Sequence, residues 1–271
     1  MKPTTPPEIG IHKMSFAAYQ QVDAISRSQL INLKKSPAHA FAAIHTPVEE
    51  TDAMIFGSAL HTAILEADKF EKRYWVRPKL DLRKTADKEE HANLIKENHG
   101  KIELTANDLY TINQMCASAK RHPFVVEMLS VGQKELSAIW QHNQQNCKAR
   151  IDLAVQAYRC ICDLKTTEDC TFRGFQRSIM EYSYHVQGAM YLDGWNKVSP
   201  WKAETFCFIC IEKSAPYACA AFSLHDTALK IGRDEYELLL ADWQTQLIDK
   251  HWSDVKSITL PQNFINNYGR Y

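Results

Sequence analysis

The chain has 271 residues, 45% of them hydrophobic, with 32 basic and 32 acidic residues and a formal net charge of zero. That length fits one large domain with a sizeable core. The absence of any unbroken run of 18 apolar residues argues against a helical membrane span, and neutrality withholds the basic surplus usual in nucleic-acid binders without excluding a local basic groove.

In chain order, residues 1–14 read as a short, Pro-rich, flexible lead-in. They lack the apolar stretch of a signal peptide, so a cytoplasmic protein is expected. Residues 15–271 read as a single domain. Residues 14–25 are a short mixed segment, after which Ser26 or Ser28 caps a helix to about Lys35, which Pro37 stops or restarts. Residues 52–66 place Met54, Ala59, Ile64 and Leu65 at helical spacing. Residues 77–101 form a charged excursion through Arg83, Lys84, Lys88, Glu89, Glu90, Lys96 and Lys101, readable as a solvated helix or as a DNA-facing arm. Thr105 opens a further helix to about Arg121, with an Asp in its first turn.

From Glu135 onward, KELSAIWQH, CKARIDLAVQ and RCICDLKT follow one another as strand-like segments and suggest an antiparallel meander. Residues 171–197 return to helix. ETFCFICIEK and YACAAFSL are two more strands, and residues 226–252 a long amphipathic helix with Leu229, Tyr236, Leu239, Leu240, Trp243 and Leu247 on its apolar stripe. The stretch after Pro261 reads as irregular. The order implies an α/β fold, a central mixed sheet flanked by helices.

Among eight cysteines, Cys207-x-x-Cys210 has the only zinc-like spacing. It lies in a strand, whose alternation turns the two thiols to opposite faces, and Cys219 is the only other nearby ligand candidate. Reduced, buried thiols are expected instead.

The chemistry centres on Asp163 and Lys165, which share one strand face. An isolated D-x-K is usually an ordinary ion pair. Asp152 on the preceding strand changes that reading. A hairpin turn centred on Ala157-Tyr158, not a favoured turn pair, stands Asp152 opposite Asp163 with Cβ atoms roughly 4.5–5.5 Å apart. Two close carboxylates raise a pKa or demand a cation, and hard oxygen ligands suit Mg²⁺ or Mn²⁺. Such an ion binds a scissile phosphate and acidifies a water, while Lys165 positions that water or stabilises developing charge. Gly57 lies one helical turn before His61 and removes bulk from that face. Gln187 and Tyr191 share a helix face at i,i+4.

The ordered set GxxxH, Glu135, ARID, DLK and QxxxY resembles the RecB-type branch of the PD-(D/E)XK nucleases. SRSQL with Ser36-Pro37, FGSALH, SAIW, CKARID, CDLKTT, YHVQGAMYLDGW and TLPQNF extend the resemblance to the RecE-type exonuclease domain (the C-terminal part of exonuclease VIII) over residues 15–265. The resemblance implies a PD-(D/E)XK core in which His61, Asp152 and Asp163 are metal ligands, with the Leu164 carbonyl as a further one. It makes Lys165 the catalytic lysine, and Gln187 and Tyr191 the residues orienting the lysine or the DNA strand. Glu135 either lies near the metals or points to solvent. In related phage exonucleases the early Ser-containing segment binds the 5′-phosphate, which makes Arg27 and Ser28 DNA-binding candidates, though Ser28 also suits a helix cap. Cluster-bearing relatives carry a cysteine where Ser36 stands here, and the matching C-terminal cysteine group is missing, so no iron–sulfur cluster is expected. The activity implied is Mg²⁺-dependent digestion of duplex DNA ends from 5′ to 3′, with Mn²⁺ as a substitute, leaving 3′ overhangs for phage or prophage recombination. A ring-shaped homo-oligomer, a tetramer by analogy, and a RecT-type annealing partner follow from the same resemblance. The alternatives are a single-strand or structure-specific nuclease with the same core, or an inactive DNA-binding or scaffold protein.

Overall fold

Strand alternation divides the apolar residues between two cores. In the strand Thr205–Glu212, Phe206, Phe208 and Cys210 enter one core while Cys207, Ile209 and Ile211 enter the other. A strand covered on both faces needs an unbroken apolar run, and FCFICI is one. This split also places Cys207 and Cys210 on opposite faces, as their spacing requires.

The computed structural model describes residues 7–46 and 50–248. Its nine strands are β1 (Gly10–His12), β2 (Ile25–Ser26), β3 (Tyr74–Arg77), β4 (Ile102–Thr105), β5 (Gln133–His142), β6 (Gln145–Val155), β7 (Cys160–Thr167), β8 (Thr205–Glu212) and β9 (Cys219–Ser223). Seven form the main sheet in the order β1-β5-β6-β7-β8-β9, with β2 added parallel to β6. β5, β6 and β7 make the expected antiparallel meander, and β8 joins β7 in parallel, so the sheet is mixed.

One face is covered by α2 (Arg27–Leu33), α3 (Pro37–His45), α10 (Tyr184–Val198) and α11 (Asp226–Asp242). The other is covered by α4 (Asp52–Leu65), α7 (Ala106–Arg121) and α8 (Pro123–Val131). α1 (Phe16–Gln21), α5 (Phe70–Arg73), α6 (Thr85–Glu97) and α9 (Phe172–Glu181) complete the α-helices among the described residues. Ser26, not Ser28, caps α2, through a capping box with Gln29, and Ser36 caps α3, with Pro37 at its first position.

Several expectations are corrected. Residues 10–12 of the supposed lead-in are β1, paired with Ser137–Ile139; three residues are too few to show a period of two. Residues 16–21 of the mixed segment are α1, fastened by the buried Lys148. Its Nζ donates to the carbonyls of Tyr19, Gln20 and Val22 at 3.0, 3.3 and 2.7 Å, at the helix's C-terminal end. The charged excursion holds a helix with no buried residue, α6, which links β3 to β4 in a small parallel sheet. Its fastening points are Glu103 contacts to Arg77 (2.9 Å) and His91 (2.6 Å). The helix expected over 171–197 breaks at Ser183, which adopts φ +51° between α9 and α10. α11 ends at Asp242 and passes into a π turn, Trp243–Ile248. Residues 249–252, the TLPQNF segment (residues 259–264) and the stretch after Pro261 lie outside the described residues.

Candidate active site

The link between β6 and β7 is a 3₁₀ turn, Gln156–Tyr158, closed by Arg159 at φ +47°. Ala157-Tyr158 therefore needs no primed hairpin turn, because the left-handed residue comes one step later. The pairs Val155↔Cys160, Ala154↔Ile161 and Leu153↔Cys162 follow the register that stands Asp152 opposite Asp163. The ladder ends one pair short of those two aspartates. There the strands part, and the Asp152 Oδ2 accepts the backbone N–H of Leu164 at 2.8 Å.

The period of two in β6 slips at the same place: Cys147, Ala149 and Ile151 join one core, Leu153 and Val155 the other. Across the ladder, Lys134↔Leu153 and Leu136↔Ile151 bracket Glu135 opposite Asp152, and Glu135 sits at φ +56°. A non-glycine residue held left-handed inside a strand is strained, and such strain persists only where its surroundings fix it. Arg150 does so, donating from Nε to Glu135 at 2.6 Å and from its NH1 nitrogen to the Met14 carbonyl and Ser137 hydroxyl at 3.1 and 3.2 Å.

His61 comes from α4. Its Nε2 lies 2.9 Å from the Leu164 carbonyl oxygen and its Nδ1 3.5 Å from Asp152 Oδ2. One ligand atom each from His61, Glu135 and Asp152 falls within 4.8 Å of the others. The Glu135 carboxylate therefore lies in the cluster rather than in open solvent. A Cβ added to Gly57 would meet no heavy atom within 4 Å, so the helix face one turn before His61 fronts open space.

Asp163 and Lys165 share a face, with Nζ 2.5 Å from Asp163 Oδ2. Gln187 on α10 donates its amide to Asp163 Oδ1. Tyr191, one turn beyond Gln187, packs its ring against Phe206 at 6.2 Å. Tyr184 lies under two cations, with Lys165 Nζ 4.8 Å and the Arg27 guanidinium carbon 5.7 Å from its ring centre. Arg27 also donates to the Tyr182 carbonyl and keeps its buried Nε without a partner. Ser28 is exposed in the first turn of α2.

Burial pushes the Asp152 carboxyl up to about 7, opposed by His61 and reinforced by Asp163 and Glu135. Burial pulls the Lys165 ammonium down, but Asp163, Tyr184 and Asp152 outweigh it and hold the pKa above its ordinary value. Buried carboxylates, a carbonyl and an imidazole around one point fit a divalent cation such as Mg²⁺ or Mn²⁺.

The sequence reading missed Tyr184 and Arg150. Tyr184 stands three residues before Gln187, one face of a helix, and Arg150 two before Asp152 on the same strand; both spacings were readable, but neither residue type announces a role.

The model of a PDDEXK-like domain of unknown function (DUF3799) matches residues 26–257. This chain belongs to that family. Among solved structures, a candidate exonuclease from Eubacterium rectale superposes on this PDDEXK-like chain with a TM-score of 0.62 at 13% identity, covering 95% of this chain and 99% of the other. At that identity the likeness shows the fold: a mixed sheet flanked by helices, the PD-(D/E)XK architecture. A phage-related exonuclease from Haemophilus somnus 129PT matches at a TM-score of 0.36 and 14% identity, over 84% of this chain and 96% of the other, too shallow for argument. No curated protein matches.

Proposed function

We propose that this PDDEXK-like chain is a divalent-metal-dependent deoxyribonuclease, a phage-type exonuclease acting from 5′ to 3′ on duplex DNA ends. One observation carries the reading: His61, Glu135 and Asp152 converge beside the Leu164 carbonyl where β6 and β7 part, with Asp163 and Lys165 on the adjacent strand. Those three side chains and the carbonyl would hold the ion, with Asp163 beside them. When bound, a divalent ion neutralises phosphate charge and acidifies a water.

The chain's own residues do the rest. Lys165 remains an ammonium at neutral pH and presents its charge where a scissile phosphate would lie, stabilising the negative charge that develops on it. Gln187 fixes the orientation of Asp163. Tyr191 supports that helix face from the Phe206 side. The unpartnered Nε of Arg27 suits a terminal 5′-phosphate, with Ser28 one residue away, and the Tyr184 ring links that position to Lys165. The fold shared with a candidate exonuclease supports an exonucleolytic reading. Mg²⁺ as the ion with Mn²⁺ as substitute, a ring-shaped tetramer threaded by DNA, a RecT-type annealing partner and a place in prophage recombination complete the proposal. No helix of the described residues is long and apolar enough to cross a membrane.

The test is nucleotide release from linear duplex DNA, 5′-phosphorylated or not, labelled at either end, beside single strands and closed circles. The proposal expects Mg²⁺-dependent loss from 5′-phosphorylated linear ends, with Arg27→Ala erasing the preference for the phosphate. Equal loss from closed circles contradicts an exonuclease, preference for single strands replaces the duplex reading, and no digestion with either ion leaves an inactive DNA-binding protein.

A further inference from the structure

Outside the carboxylate site, three of the eight cysteines converge on one point. Cys162 on β7 and Cys207 on β8 are register partners in the parallel ladder, and Cys160 lies two residues before Cys162 on the same face. The Sγ atoms of Cys160 and Cys162 are 3.6 Å apart, and all three sulfurs lie within 4.8 Å of one another. All are buried, at 4%, 2% and 7% exposure.

We propose that Cys160, Cys162 and Cys207 form a three-thiolate site for a soft d¹⁰ metal ion, zinc(II) or copper(I), which cross-links β7 to β8. Zinc–sulfur bonds of about 2.3 Å arranged tetrahedrally place sulfurs roughly 3.8 Å apart, close to the spacing already present. Soft thiolates select such ions and reject Mg²⁺, so the site is chemically separate from the oxygen-rich cluster. Two strands in register hold the thiols without loop flexibility, and a residue spacing of two keeps the third on their side. The packed apolar face around them tolerates thiolates only when a cation balances the charge. Cys210, from the zinc-like C-x-x-C spacing, takes no part, because it belongs to the opposite core. The site lies one residue before Asp163, so the ion would stiffen the strand that carries Asp163 and Lys165.

The experiment uses the whole chain, expressed in medium supplemented with zinc, copper or cadmium and purified under reducing conditions with EDTA to strip accessible ions. Expected is about one tightly held ion per chain, with the thiolate-to-metal charge-transfer absorption of the cadmium form reporting three sulfur ligands. Elemental analysis of the zinc and copper preparations identifies which ion is retained. Cys207→Ala and Cys160→Ala should lower the bound metal at least about tenfold, while Cys116→Ala and Cys219→Ala leave it unchanged. The wild-type absorption needs no variant, so poor folding of a substituted chain does not rescue the proposal. A folded wild type that retains no ion, or an absorption surviving both the Cys160 and Cys207 substitutions, overturns it.

Discussion

Asp152 accepts the Leu164 backbone N–H at 2.8 Å, although strand register stands Asp152 opposite Asp163. The two strands have separated by that point, so a side-chain acceptor replaces the missing ladder contact. The same bond places the Asp152 carboxylate beside the residue whose carbonyl oxygen lies 2.9 Å from His61 Nε2.

That position makes Asp152 costly without a cation. Burial raises its carboxyl to about 7 in the fold, well above the ordinary carboxylate range expected of the unfolded chain. The contribution is fully present at pH values below that ordinary range and is lost as pH rises through about 7. Asp152→Asn keeps the acceptor for Leu164 and removes the charge. Its metal-free melting temperature should exceed the wild type's by a few degrees (~2–5 °C) at pH 8 and match it near pH 4, while stabilisation by Mn²⁺ disappears. Thermal melts at the two pH values, with and without Mn²⁺, check this.

Arg150 is the brace for Glu135, and both side chains are close to buried, 12% and 13% exposed. Arg150→Met strands the Glu135 carboxylate and should cost about 3 kcal/mol in denaturant unfolding. Adding Glu135→Gln to it should recover part of that loss. A double variant as unstable as the sum of the singles would show that the pair is not coupled.

Gly57 offers a steric test. Because its Cβ position is empty of neighbours, Gly57→Ala should stabilise α4 by about 1 kcal/mol. Gly57→Leu should retain the fold yet fill the space before His61 and lower DNA cleavage. Unfolding curves and nuclease rates on the same preparations separate the two effects; full activity in Gly57→Leu would mean that substrate approaches from elsewhere.

Gln187 holds Asp163 from α10, acting through that carboxylate. Gln187→Ala should lower kcat about 10–100-fold with little change in KM for DNA, and Gln187→Asn should recover little because it is one methylene short. An equal rise in KM would assign the residue to DNA contact.

Much of this architecture was legible in the chain. Alternating strands of known length around a short turn suffice to bring Asp152 to Asp163, since register follows from the turn's centre. The conformation of Glu135 was not legible: glutamate rarely adopts positive φ, and only the Arg150 brace and the parting of β6 from β7 explain it. The Cys160, Cys162 and Cys207 group escaped notice because parallel pairing of β7 with β8 joins residues more than forty apart, beyond any motif's reach. β1 was too short to show periodicity, and the break at Ser183 lacks the usual glycine signal.

The central claim is that this site hydrolyses DNA with a divalent ion and Lys165. The most direct measurement is the initial rate of nucleotide release from 5′-phosphorylated linear duplex by the wild type and by Lys165→Met, each with Mg²⁺ and with EDTA, alongside DNA binding. The account predicts release by the wild type with Mg²⁺ alone, and a loss of at least about 100-fold in Lys165→Met with DNA binding retained. Release in EDTA, or undiminished release by Lys165→Met, would contradict it.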